Sequence, residues 1–385
     1  MTGLESAQDA RSLVDTAIHN GTVPGAVLAA GVGAGEPLLL HVAGRAQDDG
    51  AARRAMTADT VFDLASLTKV VATLPCVLHL VARGEAGLDD PVRRYLPGFS
   101  GPGKELVTVR QLLAHTSGLP SDRPYHRSLR GRPVVAAALA EPLAARPGTA
   151  VCYSDLGFIA LGELAAAVAG CGLGQLTQEL VVAPLGMAAR YLPPPRWLPR
   201  IAATEPAGGT AKVGVVHDEN AEAIGGVAGH AGLFGTAADL ARYAAAWLPG
   251  TPAGPAQASV PRVTRAEPPG ASAHPAGASA RAAGAPFLPA WLRADALRCQ
   301  TEGLDGRRGL GWVLRGDRWD NMGEGWPAAG AGHTGFTGTS LSIDPVTGLW
   351  AVLLTNAVHY GRGPEHSVVS LRKQVHAAVA TELLG

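Results

Sequence analysis

Apolar residues recur at helical spacing near the start of the chain, at Leu4, Ala7, Leu13, Val14, Ala17 and Ile18, and Asn20-Gly21 closes the run. The pattern predicts an amphipathic helix over residues 4–19. Two short apolar runs follow, 25–32 and 37–43, separated by Gly-Ala-Gly-Glu, and read as a β-hairpin. Residues 61–65 make a brief extended approach to a long apolar helix, 66 to about 83, which Gly84, Gly87 and Pro91 break. From about 90 to 250 the pattern is helical pieces divided by Gly and Pro, at 109–114, 134–145, 156–169 and 237–247. Ala, Pro, Gly and Ser dominate 249–290, which reads as a loosely ordered surface excursion. Strand texture returns at 309–314, 339–343 and 349–356, with turns at Asp344-Pro345 and Thr347-Gly348, and a helix over 365–384 finishes the chain. Strands at both ends around a helical middle predict an α/β fold: one antiparallel sheet built from the two chain ends, flanked by helices and interrupted by an all-α insertion. The expected organisation is a single domain, 1–385, with 1–65 and 305–385 in its α/β part and 66–304 mainly helical.

Composition narrows the function. At 385 residues the chain can bury a sizeable core. With 32 basic and 32 acidic residues, no basic stripe and no polybasic run, nucleic acid and anionic membranes are not expected partners. No apolar run approaches the ~20 residues a membrane span needs. The first residues lack a basic segment followed by an apolar one, so no signal peptide is expected and a cytoplasmic location is the default. The four cysteines (Cys76, Cys152, Cys171, Cys299) are scattered, without Cys-x-x-Cys, and suggest neither a disulfide framework nor zinc. Lysine occurs only at 69, 104, 212 and 373, arginine serving elsewhere. A lysine inside an apolar segment therefore calls for a reason.

Lys69 is that lysine. In Ser66-Leu67-Thr68-Lys69 the serine and lysine stand three apart, on one face of the first turn of an apolar helix. Backbone N–H groups and the positive dipole end at a helix start favour a developing oxyanion. A serine hydroxyl needs a base to attack a carbonyl, and lysine serves only if its pKa falls from ~10.4 toward neutrality. Burial pushes it that way. A second match, Ser370-Leu371-Arg372-Lys373, falls in the middle of the last predicted helix and reads as a solvated face.

Two further segments follow in order: Tyr153-Ser154-Asp155, after Pro147-Gly148, and His333-Thr334-Gly335, before an apolar strand. With the stretches 62–69, 112–119 and 225–234, this order resembles the serine β-lactamase and penicillin-binding superfamily, especially its class C-like branch. That branch also holds D-alanyl-D-alanine carboxypeptidases, D-aminopeptidases, family VIII esterases and some acyltransferases. The likeness runs from about residue 8 to 380 and implies a β-lactamase-like fold.

The resemblance implies roles. Ser66 is the acylated nucleophile, and Lys69 and Tyr153 share the proton transfers. Asp155, where the family usually has Asn, bonds Lys69 or a substrate amide. His333, Thr334 and Gly335 line the facing strand, and the backbone N–H groups of Ser66 and Phe336 form the oxyanion hole. Read without the resemblance, Tyr153 is a buried aromatic, Asp155 an N-cap for the helix near 156, and His115 and His230 structural residues of Gly-rich turns. Two departures bear on substrate. His333 in place of Lys weakens capture of a carboxylate. Asp155 in place of Asn raises the pKa of Lys69 unless His333 or another cation offsets it.

No Gly-x-Ser-x-Gly, His-Glu-x-x-His or phosphate-binding glycine loop is present, and His217-Asp218-Glu219 alone is weak support for a metal. No cofactor and no metal are expected. The expected partner is a small-molecule ester, amide or peptide substrate, with the oligomeric state left open. The expected function is a serine hydrolase of the esterase, peptide amidase or D-peptidase type. The alternatives are an acyltransferase using the same acyl-enzyme and a non-catalytic ligand-binding sensor.

Overall fold

The run 25–32 is apolar at every position because it becomes an interior strand of a sheet covered on both faces. The computed structural model describes residues 9–50, 52–207, 210–249 and 287–385. In chain order the strands are β1 Gly25–Val32, β2 Leu39–Asp48, β3 Arg53–Ala55, β4 Phe62–Asp63, β5 Arg190–Tyr191, β6 Pro206–Ala207, β7 Thr210–Ala211, β8 Leu233–Gly235, β9 Val313–Leu314, β10 Ala331–Thr334, β11 Ser340–Ile343 and β12 Leu349–Thr355. Seven form one antiparallel sheet, ordered β3-β2-β1-β12-β11-β10-β9. The two ends of the chain meet at the β1–β12 pair, where Leu28 faces Leu353 and Ala30 faces Ala351.

Alternation along these strands divides the core. Ala26, Leu28, Ala30, Leu349, Ala351 and Leu353 point to one face, where they pack with the first helix (α1, Ala10–His19) and the last, whose residues Val375 and Val379 join them. Val27, Ala29, Val352 and Leu354 point to the other, into the large core shared with the helical middle of the chain. The helices of that middle are α2 Leu74–Ala82, α3 Val109–Leu113, α4 Arg132–Ala140, α5 Asp155–Ala169, α6 Leu173–Thr177, α7 Glu219–Ile224, α8 Ala237–Trp247 and α9 Ala290–Leu297; α10 is Val369–Leu384. The sheet flanked by helices agrees with the expected α/β architecture.

Several boundaries differ from the sequence reading, each for a local reason. The helix predicted over 134–145 ends at Ala140, because Glu141 precedes Pro142 and turns extended. Of 309–314 only Val313–Leu314 is a strand; Gly311, at φ 76°, breaks the extended run. The last helix begins at Val369 after a separate 3-10 turn, Pro364–His366. The 370–373 motif therefore lies in its first turn rather than its middle; Ser370 is exposed and Lys373 half-buried, as a solvated face requires, whereas Arg372 between them is buried. The excursion read over 249–290 falls mainly on 250–286, and the start of the first predicted helix on 4–8; both lie outside the described residues.

Candidate active site

Ser66 sits at a sharp turn between a strand and a helix. β4 pairs with β8, and just beyond it the buried carboxylate of Asp63 accepts from the N–H of Ala65 at 2.8 Å and of His217 at 2.6 Å. Ala65 takes φ 47°, a conformation an L-residue enters only under constraint. The chain then winds through three-residue bonds, Leu67 to Leu64, Thr68 to Ala65 and Lys69 to Ser66, each 3.0 Å. A π-helical turn follows over Lys69–Thr73, with the Leu74 N–H donating to Lys69 O, before α2 begins. The sequence reading took this stretch as a regular helix. Pro75 explains part of the departure: it has no N–H to give to Val71 O, the acceptor a regular α-helix would assign it, and Val70 O accepts the Tyr243 hydroxyl.

Lys69 is wholly buried. Its Nζ meets three acceptors: Ser66 Oγ at 2.9 Å, the backbone oxygen of His230 at 3.0 Å and Asp155 Oδ1 at 2.6 Å. Two hydrogen bonds and one ion pair thus surround the amine. The expectation that burial would bring the lysine toward neutrality is overturned. Burial does push its pKa down, but the charge of Asp155 outweighs it and raises the pKa above the usual value. The cation that would offset Asp155 is missing at His333. Burial, and then the Lys69 charge, push that imidazole down to about 3.

The segment 152–155 is gripped by the turn that follows α3. His115 stands at φ 58°; its backbone oxygen accepts from Cys152 N–H at 2.9 Å, and its Nδ1 accepts from Ser154 N–H at 3.0 Å. The rings of His115 and Tyr153 lie 4.6 Å apart. Ser154, not Asp155, caps α5: its Oγ accepts from Gly157 N–H at 3.2 Å and donates to Pro120 O at 2.7 Å. Asp155 is left free to face Lys69. The Tyr153 ring centroid is 4.9 Å from Lys69 Nζ, and burial raises the phenol's pKa, so it keeps its proton.

β10 forms the opposite wall. His333 is 2% exposed, its ring 6.0 Å from that of Tyr153. Its Nδ1 lies 2.9 Å from Thr334 O, and a carbonyl only accepts, so the proton is on Nδ1 and Nε2 is a bare acceptor without a partner among the described residues. Beyond Thr334 a tight turn over 335–339 is tied to the Ser66 segment: Thr337 Oγ1 donates to Asp63 O at 2.8 Å and Thr339 Oγ1 to Leu64 O at 3.1 Å. Gly335 is needed there, since a β-carbon would fall 2.5 Å from Leu64 O. Phe336 is exposed, stacked on His217 at 5.6 Å and under the Arg362 guanidinium at 5.3 Å. The structure thus gathers Ser66, Lys69, Tyr153 and Asp155 with the strand bearing His333, Thr334, Gly335 and Phe336.

Sequence reasoning missed Asp63, which shapes the turn, and the pairing of His230 with Asp218 at 2.9 Å. Burial works against a charge on His230, but Asp218 outweighs it and raises its pKa. A polar residue inside the apolar stretch 61–65 was the available signal for Asp63. For His230 it was the Gly225–Gly232 stretch, where a β-carbon on Gly229 would collide with Phe158 O of α5. Among the described residues no three His, Cys, Asp or Glu side chains stand together as metal ligands.

Comparison with known proteins identifies the family and the fold. Residues 10–369 match the family described as Beta-lactamase. An Escherichia coli (strain K12) protein named "Putative D-alanyl-D-alanine carboxypeptidase" is 30% identical over 343 residues, spanning 79% of this chain and 70% of that one. Among solved structures, EstCE1, described as a hydrolase with promiscuous acyltransferase activity, superposes with a TM-score of 0.70 at 21% identity, covering 96% of this chain and 97% of that one. A class C beta lactamase from Rhodobacter sphaeroides gives a TM-score of 0.71 at 18% identity, covering 98% and 99%. At these identities the two structures speak for the fold alone, and it is the fold the sequence predicts. With one family matched over nearly its whole length, this chain belongs to the beta-lactamase family.

Proposed function

We propose that this member of a serine hydrolase family cleaves small esters and amides through an acyl-enzyme on Ser66, as esterases, peptide amidases and D-peptidases do. The observation that carries the reading is Lys69, whose Nζ joins Ser66 Oγ at 2.9 Å to Asp155 Oδ1 at 2.6 Å. An ammonium cannot take a proton, but one that hands a proton to an adjacent carboxylate can. As Ser66 Oγ attacks the carbonyl carbon, its proton passes to Nζ while a proton on Nζ passes to Asp155. Lys69 stays an ammonium, the carboxylate is neutralised, and the negative charge moves to the carbonyl oxygen. The N–H groups of Ser66 and Phe336 receive that charge; one such donor is worth about 3–4 kcal/mol of transition-state stabilisation. Tyr153, which keeps its proton, protonates the leaving oxygen or nitrogen and is refilled from Asp155 through Lys69. Water then releases the acyl group by the same relay.

Neutral His333 supports esters and amides over substrates held by a carboxylate, such as β-lactams, because it offers an acceptor where a cation would be needed. The same acyl-enzyme would pass its acyl group to an alcohol or amine, and the acyltransferase activity named for EstCE1, on this fold, favours testing that route. Exposure to p-nitrophenyl acetate or butyrate is expected to give an acylation burst and a mass increase on Ser66. Product partition with and without alcohols separates hydrolysis from transfer. Retention of the burst by Ser66→Ala would show the nucleophile to be another group.

A further inference from the structure

Behind the turn over 335–339 lies a buried cation. Arg372, in the first turn of α10, is 7% exposed. Its Nη2 donates to Gly335 O at 2.6 Å and to Thr339 O at 3.0 Å. Burial lowers its pKa to about 10, which leaves it charged at neutral pH. Among the described residues no carboxylate forms an ion pair with it. A buried charge without a counter-ion is expensive, so its place beside two carbonyls calls for a function.

The Gly335 carbonyl and the Phe336 N–H are the two ends of one peptide group. Resonance couples them: a cation at the oxygen draws electron density through the C–N bond and makes the N–H a stronger donor. The same oxygen also accepts from Gly338 N–H at 3.1 Å, and the Gly335 N–H donates to Thr339 O at 2.7 Å, so Arg372 closes a ring of bonds that fixes the direction of the peptide. We propose that Arg372 is a positioning residue that polarises and orients the 335–336 peptide, strengthening Phe336 N–H toward the carbonyl oxygen of the substrate. The inference rests on the acyl-enzyme reading above. Arg372 touches no reacting atom; it acts through the peptide.

The test is the stretching frequency of the acyl carbonyl, read by infrared difference spectroscopy on the full-length enzyme acylated with a 13C-carbonyl-labelled p-nitrophenyl ester. Stronger donation to that carbonyl lowers its frequency. Arg372→Met is expected to raise it and to slow kcat about tenfold with little change in KM, less than the 100-fold or more that follows complete loss of an oxyanion donor. Arg372→Lys, which keeps the charge, is expected to restore much of both. Should Arg372→Met fail to fold, Arg372→Gln takes its place, keeping a donor without the charge. A folded neutral variant with an unmoved carbonyl band and unchanged kcat overturns the role of Arg372 alone. A wild-type enzyme that forms no acyl-enzyme on Ser66 removes the hydrolase reading, and this inference with it.

Discussion

Asp155 sets the charge of Lys69. With its carboxylate 2.6 Å from Nζ, the ammonium is held although burial opposes it. An asparagine there would offer a similar oxygen without the charge, leaving burial to bring the amine toward its neutral form. Asp155→Asn is therefore expected to remove the acceptor of the relayed proton, slowing acylation at neutral pH by about 100-fold and moving the acid limb of its pH profile upward, where the amine itself loses a proton, measured as burst rate against pH. Because Ser154 caps α5, the substitution leaves the cap in place. An unchanged profile would mean that Asp155 does not govern the amine. The sequence made the sign of Asp155's effect on Lys69 legible, since a negative residue stands where the resemblance expects a neutral one. It did not disclose that a neighbouring serine takes the capping role, nor that His333 is too buried to compensate. Both depend on which backbone groups fold around the side chain, and spacing along the chain carries no such information.

At the scale of elements, the site exists because two short segments are pinned together. The turn after β10 is anchored by Thr337 and Thr339 to the carbonyls of Asp63 and Leu64, immediately before the strained Ala65 and Ser66. Gly335 has no room for a side chain: a β-carbon would collide with Thr339 Oγ1 and fall 2.5 Å from Leu64 O and 3.3 Å from Ala65 Cβ. Gly335→Ala is expected to destabilise the fold by ~1–3 kcal/mol, the usual range for overpacking. It should also lower the acylation rate more than the stability loss explains, by pushing the strand away from Ser66. Urea midpoints measured beside burst rates check both, and a variant of normal stability and full rate would show that the two segments need not touch. α8 was readable because its apolar positions repeat a helical period, and α5 because it is a long apolar run between breakers. β5 and β8 were not, because two- or three-residue strands have no period to read; β4 was read only as part of the extended approach at 61–65. The π turn over Lys69–Thr73 was equally hidden: Pro75 signals a missing donor but not which bond gives way.

At the scale of the molecule, the fold was legible in outline because β1 and β12 are apolar runs at opposite ends of the chain, and each must be covered on both faces. The same enclosure has an acid liability. His115, His333 and His376 are no more than 2% exposed. Burial pushes His333 and His376 down to about 3, so the folded protein keeps both neutral at pH 5, and burial pushes His115 well below its usual value in the same direction. The unfolded chain titrates its histidines near 6.5. Between about pH 6.5 and 3 the unfolded state therefore binds more protons, and stability falls as pH falls; above about 6.5 the contribution is complete. At ~1.4 kcal/mol per pH unit for each group, the cost at pH 5 is about 2 kcal/mol each for His333 and His376, or about 4 together, and His115 adds in the same sense. A typical domain has only about 5–15 kcal/mol to lose. His230 works in the opposite sense, since Asp218 raises its pKa and its contribution fades as pH rises through that value, but it is one group against three. The urea midpoint is expected to drop steeply from pH 7 to pH 5. Replacing His376, which faces Ser342 Oγ from 2.8 Å on the side of the sheet away from Ser66, in His376→Gln is expected to lessen the loss of stability at pH 5 by about 2 kcal/mol. A midpoint that stays level across this range would mean that the imidazoles become charged inside the fold, and the neutral His333 on which the substrate reading depends would go with it.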